Sequence, residues 1–234
     1  MKNIVVTGAS KGIGRAIVLK FAAGGFAVAA CARREADLRQ LEAEVREVAP
    51  AFNHIFMPCD VSDPAQVKAF AEKVKAEWGQ VEILVNNAGV FLPGQVISEA
   101  DGTLEKLINT NLYSAYHMTR SLVAGMIDSA KGHIFNMCSI ASLHAYANGG
   151  SYSISKFAML GFSKALREEL KPYSVKVTSL MPGATLTDSW AGVDLPESRF
   201  MRADDIAQLI FDIYHLSDST VIEEVVLRPV LGDI

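Results

Sequence analysis

The sequence predicts an α/β fold: a doubly wound parallel sheet of about seven strands with helices on both faces. Three observations carry this. Short apolar, β-branched runs alternate with amphipathic stretches from end to end, as strand–helix–strand units require. A glycine-rich turn, Thr7-Gly8-Ala9-Ser10-Lys11-Gly12-Ile13-Gly14, stands between the first strand-like run and the first helix-like one. No solenoid repeat, low-complexity tract or linker interrupts the 234 residues, so 1–234 reads as one domain.

Taken in order, residues 2–7 form a buried strand. The glycine turn follows, then a helix to about residue 23, ended by Gly24-Gly25. A second strand over 26–32 ends in Ala32-Arg33-Arg34. Helical periodicity covers 35–48, and Pro50 stops it. A third strand over 54–58 is closed by Cys59-Asp60-Val61. Asp63-Pro64 opens a helix to about 78, because proline suits the first helical position. The fourth strand, 81–85, runs into Asn86-Asn87-Ala88-Gly89, and a long helix is expected over 99–127. Asn111 lies inside it, where asparagine is a poor helix former; it marks a kink, a polar role in the interior or a packing accident. A fifth strand over 132–138 delivers Ser139. The helix that Tyr152 opens is followed by a sixth strand, 175–181, and Pro182-Gly183-Ala184-Thr185-Leu186-Thr187. Residues 188–201 are irregular, a small lid or a surface connection. A helix over 202–216 and a strand over 221–227 complete the chain.

Composition narrows the function. Half of the residues are hydrophobic and the net charge is −4, which argues against a broad nucleic-acid surface. Cys31, Cys59 and Cys138 are widely spaced in apolar runs and read as reduced core thiols. The five histidines lack metal-ligand spacing, so no metal is expected. No apolar run approaches the ~20 residues that span a bilayer, and an apolar strand begins within three residues of the start. A cytoplasmic protein is expected.

The chemistry-bearing residues fall at strand ends. Glycines in a first strand-to-helix turn let backbone N–H groups approach a pyrophosphate. An enzyme preferring NAD often has an acid at the end of the second strand to hold the ribose hydroxyl. Here Arg33 and Arg34 stand there, and a guanidinium suits a phosphate monoester. Lys11 is expected to reach the same region, so NADP(H) is the expected cofactor. Asp60 fits an adenine amino group, with Val61 packed nearby, and fits an Asx-type turn equally well. Tyr152 and Lys156 are four apart, on one helix face. An ammonium there would lower the phenol pKa toward the range of an acid–base catalyst. By itself the pair is too short a pattern to carry this reading.

Together these motifs resemble the short-chain dehydrogenase/reductase family, over nearly the whole chain. The matching segments are Thr7-Gly8 through Gly14, Asp60-Val61, Asn86 through Gly89, Pro182-Gly183 and Thr187, with Asn111, Ser139, Tyr152 and Lys156 in the order and spacing of the family tetrad. The resemblance implies a Rossmann-type fold. It implies a cofactor held by Gly8, Ser10, Lys11, Gly12, Ile13 and Gly14 at the pyrophosphate end, and by Arg33, Arg34, Asp60 and Val61 at the adenosine end. Asn87, Ala88, Gly89, Tyr152, Lys156, Pro182, Gly183, Thr185 and Thr187 would complete the cofactor site. Ser139 and Tyr152 would hold a carbonyl oxygen, Tyr152 giving the proton. Lys156 would lower its pKa and bind the nicotinamide ribose, and Asn111 would hold a water. Ile140, Leu143, His144, Tyr146, Thr185 and Trp190 would wall the substrate pocket. Assembly as a homodimer or homotetramer through the two long helices is the family habit.

Within the family the C-terminal part is similar to bacterial sepiapterin-reductase-like members, in His133-Ile134-Phe135, Pro182-Gly183-Ala184 with Trp190 shortly after, and Val225 through Pro229 with Gly232-Asp233-Ile234. The expected activity is NADPH-dependent reduction of a sepiapterin- or diketone-like carbonyl. A 3-oxoacyl-ACP reductase is the rival, disfavoured by thin positive charge around Lys131 and Lys171. An NADP-binding sensor or assembly module without turnover is the alternative outside enzymes, and the complete tetrad speaks against it.

Overall fold

The computed structural model describes residues 2–190 and 192–234. Seven parallel strands form one sheet: β1 (Asn3–Thr7), β2 (Ala27–Ala32), β3 (Ile55–Pro58), β4 (Ile83–Asn86), β5 (Gly132–Met137), β6 (Val175–Pro182) and β7 (Glu224–Leu227), in the order β3-β2-β1-β4-β5-β6-β7. Strand neighbours alternate faces, so β1 feeds two cores at once. Ile4 and Val6 pack with Phe21, Leu41 and Ile210, from the helices α1 (Gly12–Ala23), α2 (Glu35–Val48) and α7 (Ala203–Tyr214). Val5 packs the other way, with Phe70, Met118 and Leu166 from α3 (Pro64–Trp78), α5 (Ser114–Asp128) and α6 (Gly150–Leu170). The expected doubly wound sheet is therefore present.

Local chemistry explains the boundaries. Asp63 accepts from the Ala65 N–H at 2.9 Å and Pro64 takes the first helical position, which starts α3 as anticipated. In α2, Glu35 and Asp37 occupy the first turn and Arg46 the last, each on the favourable side of the helix dipole. The expected helix over 99–127 is different. A short helix, α4 (Thr103–Ile108), starts only after Gly102, which has φ +84°. A π-helical turn over Asn109–Tyr113 then separates it from α5. That extra residue turns the Asn111 amide inward, where the side chain is 1% exposed. Residues 188–201 contain two 3-10 turns, Asp188–Trp190 and Glu197–Arg199, and Thr185 bridges to Met201.

The chain leaves β1 toward β2 and β3, then returns to lay β4 on its other side. This reversal opens a crevice beyond the carboxyl ends of β1 and β4. No helix of the described residues is long and apolar enough to cross a membrane.

Candidate active site

The crevice is a cleft of about 1380 Å³. At one end lies the glycine turn. Thr7 Oγ1 accepts from the N–H groups of Asn87 (3.1 Å) and Ala88 (3.0 Å), and Asn87 Nδ2 donates to the carbonyls of Thr7 (2.9 Å) and Gly8 (3.0 Å). These bonds draw the turn against the end of β4. The contact is so close that a Cβ on Gly8, itself at φ +63°, would lie 2.7 Å from the Ala88 Cα. One on Gly14 would lie 2.5 Å from Asn87 Nδ2. Gly14 thus works beneath the cleft, whereas Gly8, Ser10, Lys11, Gly12 and Ile13 line it. No side chain caps the start of α1, so its first N–H groups face the cleft without a side-chain acceptor.

The three expected basic residues differ in setting. Arg33 and Arg34 both line the cleft, but Arg34 Nε pairs with Asp37 at 2.5 Å. Among the described residues Arg33 makes no ion pair, and its charge helps hold the Asp60 carboxyl below its usual value, behind two hydrogen bonds from Ser62. Those bonds, 2.7 Å from the hydroxyl and 3.0 Å from the N–H, make the Asx-type turn, and Asp60 and Val61 line the cleft as well. The Asx-type turn is therefore present, and Asp60 stays at the cleft wall. Lys11 turns the other way, with Nζ 3.1 Å from Asp188 Oδ2. It bridges the cleft toward the segment after β6 instead of joining Arg33. A Cβ on Gly12 would meet Thr187 Cγ2 at 3.0 Å, so the two rims also touch there.

The other end gathers Ser139, Tyr152 and Lys156. Ser139 leaves β5 and starts a 3-10 turn, its Oγ accepting from the Ala141 N–H at 3.1 Å. That bond uses an oxygen lone pair and leaves the hydroxyl proton free to meet the Tyr152 hydroxyl. Tyr152 lies in the first turn of α6, edge-on to Phe91 with centroids 4.9 Å apart. Lys156 is 5% exposed, and its Nζ donates to the Met137 carbonyl at 2.9 Å. Asn111 Oδ1 accepts from the Val90 N–H (2.8 Å), while Nδ2 donates to the Val90 carbonyl (3.0 Å) and Ser155 Oγ (2.9 Å). Both donors of this amide are committed, and its oxygen already serves the Val90 N–H.

Titration differs from the expectation. Burial raises the Tyr152 pKa and the Ser139 hydrogen bond opposes it. Lys156 Nζ stands 5.9 Å from the Tyr152 ring centroid and is turned to Met137. Burial also lowers the Lys156 pKa. Both shifts favour neutral forms, and a neutral phenol is the form that can donate a proton.

Ala88, Gly89, Pro182, Gly183, Thr185 and Thr187 line the cleft as expected, as do Ile140, His144, Tyr146 and Trp190; Asn87 lines it while its amide stitches the turn. Leu143 does not: it is 40% exposed, outside the wall. Sequence reasoning missed Phe91 and the tail residues Asp233 and Ile234, which also line the cleft. Phe91 had a signal, two residues past Gly89 at a strand end. Asp233 reaches the cleft through an ion pair with Arg228, which no spacing announces. Among the described residues, no three His, Cys, Asp or Glu side chains are grouped to hold a metal.

A doubly wound sheet with a glycine cradle at one end of its crevice and a serine–tyrosine–lysine cluster at the other defines a class, the nucleotide-dependent oxidoreductases. The chain belongs to the short-chain dehydrogenase/reductase family: the family profile described as "short chain dehydrogenase" matches residues 2–197. It is 34% identical to a sepiapterin reductase of Chlorobaculum tepidum, across 100% of this chain and 99% of that one. Among solved structures it resembles an alcohol dehydrogenase from Thermococcus sibiricus complexed with 5-hydroxy-NADP, at TM-score 0.92 and 26% identity over 100% and 99% of the two chains. A metagenomic short-chain oxidoreductase in complex with NADP matches at TM-score 0.85 and 33% identity, over 99% and 98%.

Proposed function

We propose that this chain is an NADPH-dependent carbonyl reductase in which Tyr152 is the proton donor. The observation that carries it is the single cleft that joins the glycine cradle and Arg33 to Ser139, Tyr152 and Lys156. The residues present fit the cofactor. The tight Gly8, Gly12 and Gly14 contacts keep side chains out of the cradle, and the α1 N-terminus offers N–H groups to a pyrophosphate. Arg33 offers a guanidinium to a 2′-phosphate. NADPH, when bound, supplies the hydride.

The chain supplies the rest. Ser139 and Tyr152 donate hydrogen bonds to the substrate carbonyl oxygen, which stabilises the charge that develops there. The phenol proton passes to that oxygen. Lys156 sits one turn behind Tyr152 to hold the ribose and to answer the transient phenolate charge. Asn111 keeps Val90, and with it Phe91, in place beside Tyr152.

The favoured substrate is a flat or apolar carbonyl compound, of sepiapterin or diketone type. Tyr146 and Trp190 on the wall and the full-length likeness to a sepiapterin reductase support this. The protein is expected to act as a homodimer or homotetramer. Exposed Tyr113, Tyr116, Ile154 and Phe157 on the two long helical segments support that reading.

NADPH oxidation tests the proposal, with sepiapterin, aromatic diketones and a 3-oxoacyl thioester as substrates and NADH run alongside. Turnover of the first two, preferring NADPH, is the expected result. Turnover of the thioester alone moves the substrate to acyl chains. Tyr152→Phe is expected to bind NADPH normally while kcat falls at least about a hundredfold, the usual scale of a lost general acid. Full turnover by that variant overturns the mechanism.

A further inference from the structure

The catalytic helix begins without a side-chain cap of its own. Its N-cap position is Gly149, which has no side chain to offer. The first turn of a helix has N–H groups without intrahelical partners, and such ends fray unless something accepts from them. Tyr152 sits in that turn. The acceptor comes from fifty-two residues away. Glu99 Oε1 accepts from the Ser151 N–H at 2.9 Å, and Oε2 accepts a short hydrogen bond from Ser151 Oγ.

The surroundings are built for this contact. Gly150 is at φ +33°, and a Cβ there would overlap Glu99 Oε1. Gly94 donates to the Asn148 carbonyl at 3.0 Å and pairs with Gly149 as a β-bridge. Glu99 itself ends a tight turn, its N–H donating to the Gln95 carbonyl at 2.8 Å. Gly150 and Gly94, at both of which a Cβ would meet the Glu99 side chain, therefore admit a carboxylate from another part of the chain. Ser151 is 3% exposed, so water is a poor substitute for the missing acceptor.

The same loop reaches the site at two more points, where Asn111 grips Val90 and Phe91 packs on the Tyr152 ring. We propose that Glu99 is a positioning residue: it caps the catalytic helix from the loop after β4, and so fixes the Tyr152 hydroxyl and the Phe91 wall relative to each other. This rests on the reduction reading above for its kinetic consequence, though not for its structural one. It assigns Gly150 a purpose, which is room for the carboxylate.

The test uses Glu99→Ala, Glu99→Gln and Ser151→Ala in the full chain. Three quantities are read: kcat and KM on a carbonyl the unaltered protein reduces, NADPH affinity by fluorescence titration, and amide exchange over 149–153. Glu99→Ala is expected to lower kcat about tenfold, the scale of a lost charged cap, and to speed exchange over 149–153. NADPH affinity should fall much less than kcat, because the cradle and Arg33 lie at the other end of the cleft and Lys156 sits a turn further into the helix. Glu99→Gln keeps an acceptor for the Ser151 N–H and recovers most of the rate. Ser151→Ala loses less than Glu99→Ala, and the double variant loses no more than Glu99→Ala alone. Unchanged kcat and exchange in Glu99→Ala overturn the proposal. So does a loss of NADPH affinity in step with kcat, which marks general destabilisation. If no carbonyl is turned over, the reduction reading fails, and the exchange measurement still decides whether Glu99 holds the helix start.

Discussion

At the scale of single residues, Tyr152 shows how burial and hydrogen bonding divide a catalytic task. Burial raises its pKa, and the Ser139 hydroxyl pulls it down. Reduction needs the protonated phenol, so activity is expected to be level through neutral pH and to fall only at alkaline pH. Ser139→Ala removes the group that lowers the pKa. Its alkaline limb should therefore move to higher pH, along with a drop in kcat of about a hundredfold for a lost donor to the carbonyl oxygen. A pH profile of kcat/KM checks the sign: a limb moving to lower pH would refute it. The identities of this site were readable in the chain. Their electrostatics were not, because the four-residue spacing of Tyr152 and Lys156 is silent about which carbonyl the ammonium faces. Met137 takes it, and only the packing of β5 under α6 reveals that.

At the scale of elements, helix starts with local chemistry were legible together with what holds them, whereas for α6 the start was legible and the distant carboxylate that holds it was not. Asp63-Pro64 announces α3, and helical periodicity stopped by Pro50 announces α2. The segment over 99–127 misleads because Glu99 serves α6 instead of opening a helix, and because apolar periodicity cannot register one extra residue in a π turn. The glycine turn is an element of the opposite kind, fully specified by sequence and enforced by contact. Gly14→Ala puts a methyl 2.5 Å from Asn87 Nδ2 and 3.0 Å from the Ala9 Cα. Strain of ~1–3 kcal/mol is the usual result of such overpacking. The turn must pull away from Asn87, and NADPH affinity is expected to fall about tenfold or more while the sheet stays folded. Fluorescence titration and a thermal melt separate the two effects.

At the scale of the whole molecule, one buried histidine couples the sheet to acid. His133 is 3% exposed, stacked on Phe135 at 3.9 Å, with Nε2 2.8 Å from Thr178 Oγ1. Burial lowers its pKa to about 3. The unfolded chain takes up this proton near pH 6.5 and the folded chain only near 3. Its contribution is therefore complete above the unfolded value and is lost as pH falls through that window, by at most about 1.4 kcal/mol per pH unit. His133→Gln is expected to cost about 1 kcal/mol at neutral pH and to flatten the acid side of the stability curve, as read by urea unfolding at several pH values. The strand order carries a different consequence. Every strand after β4 joins the sheet at its outer edge in the order of synthesis. A nascent chain that has left the ribosome only as far as Asp128 owns β4 as a bare edge, Ile-Leu-Val-Asn, apolar and unpaired. Such an edge is a template for pairing with other chains, and translation of β5 is what retires it. That exposure falls about halfway through synthesis, before a single catalytic side chain of α6 exists.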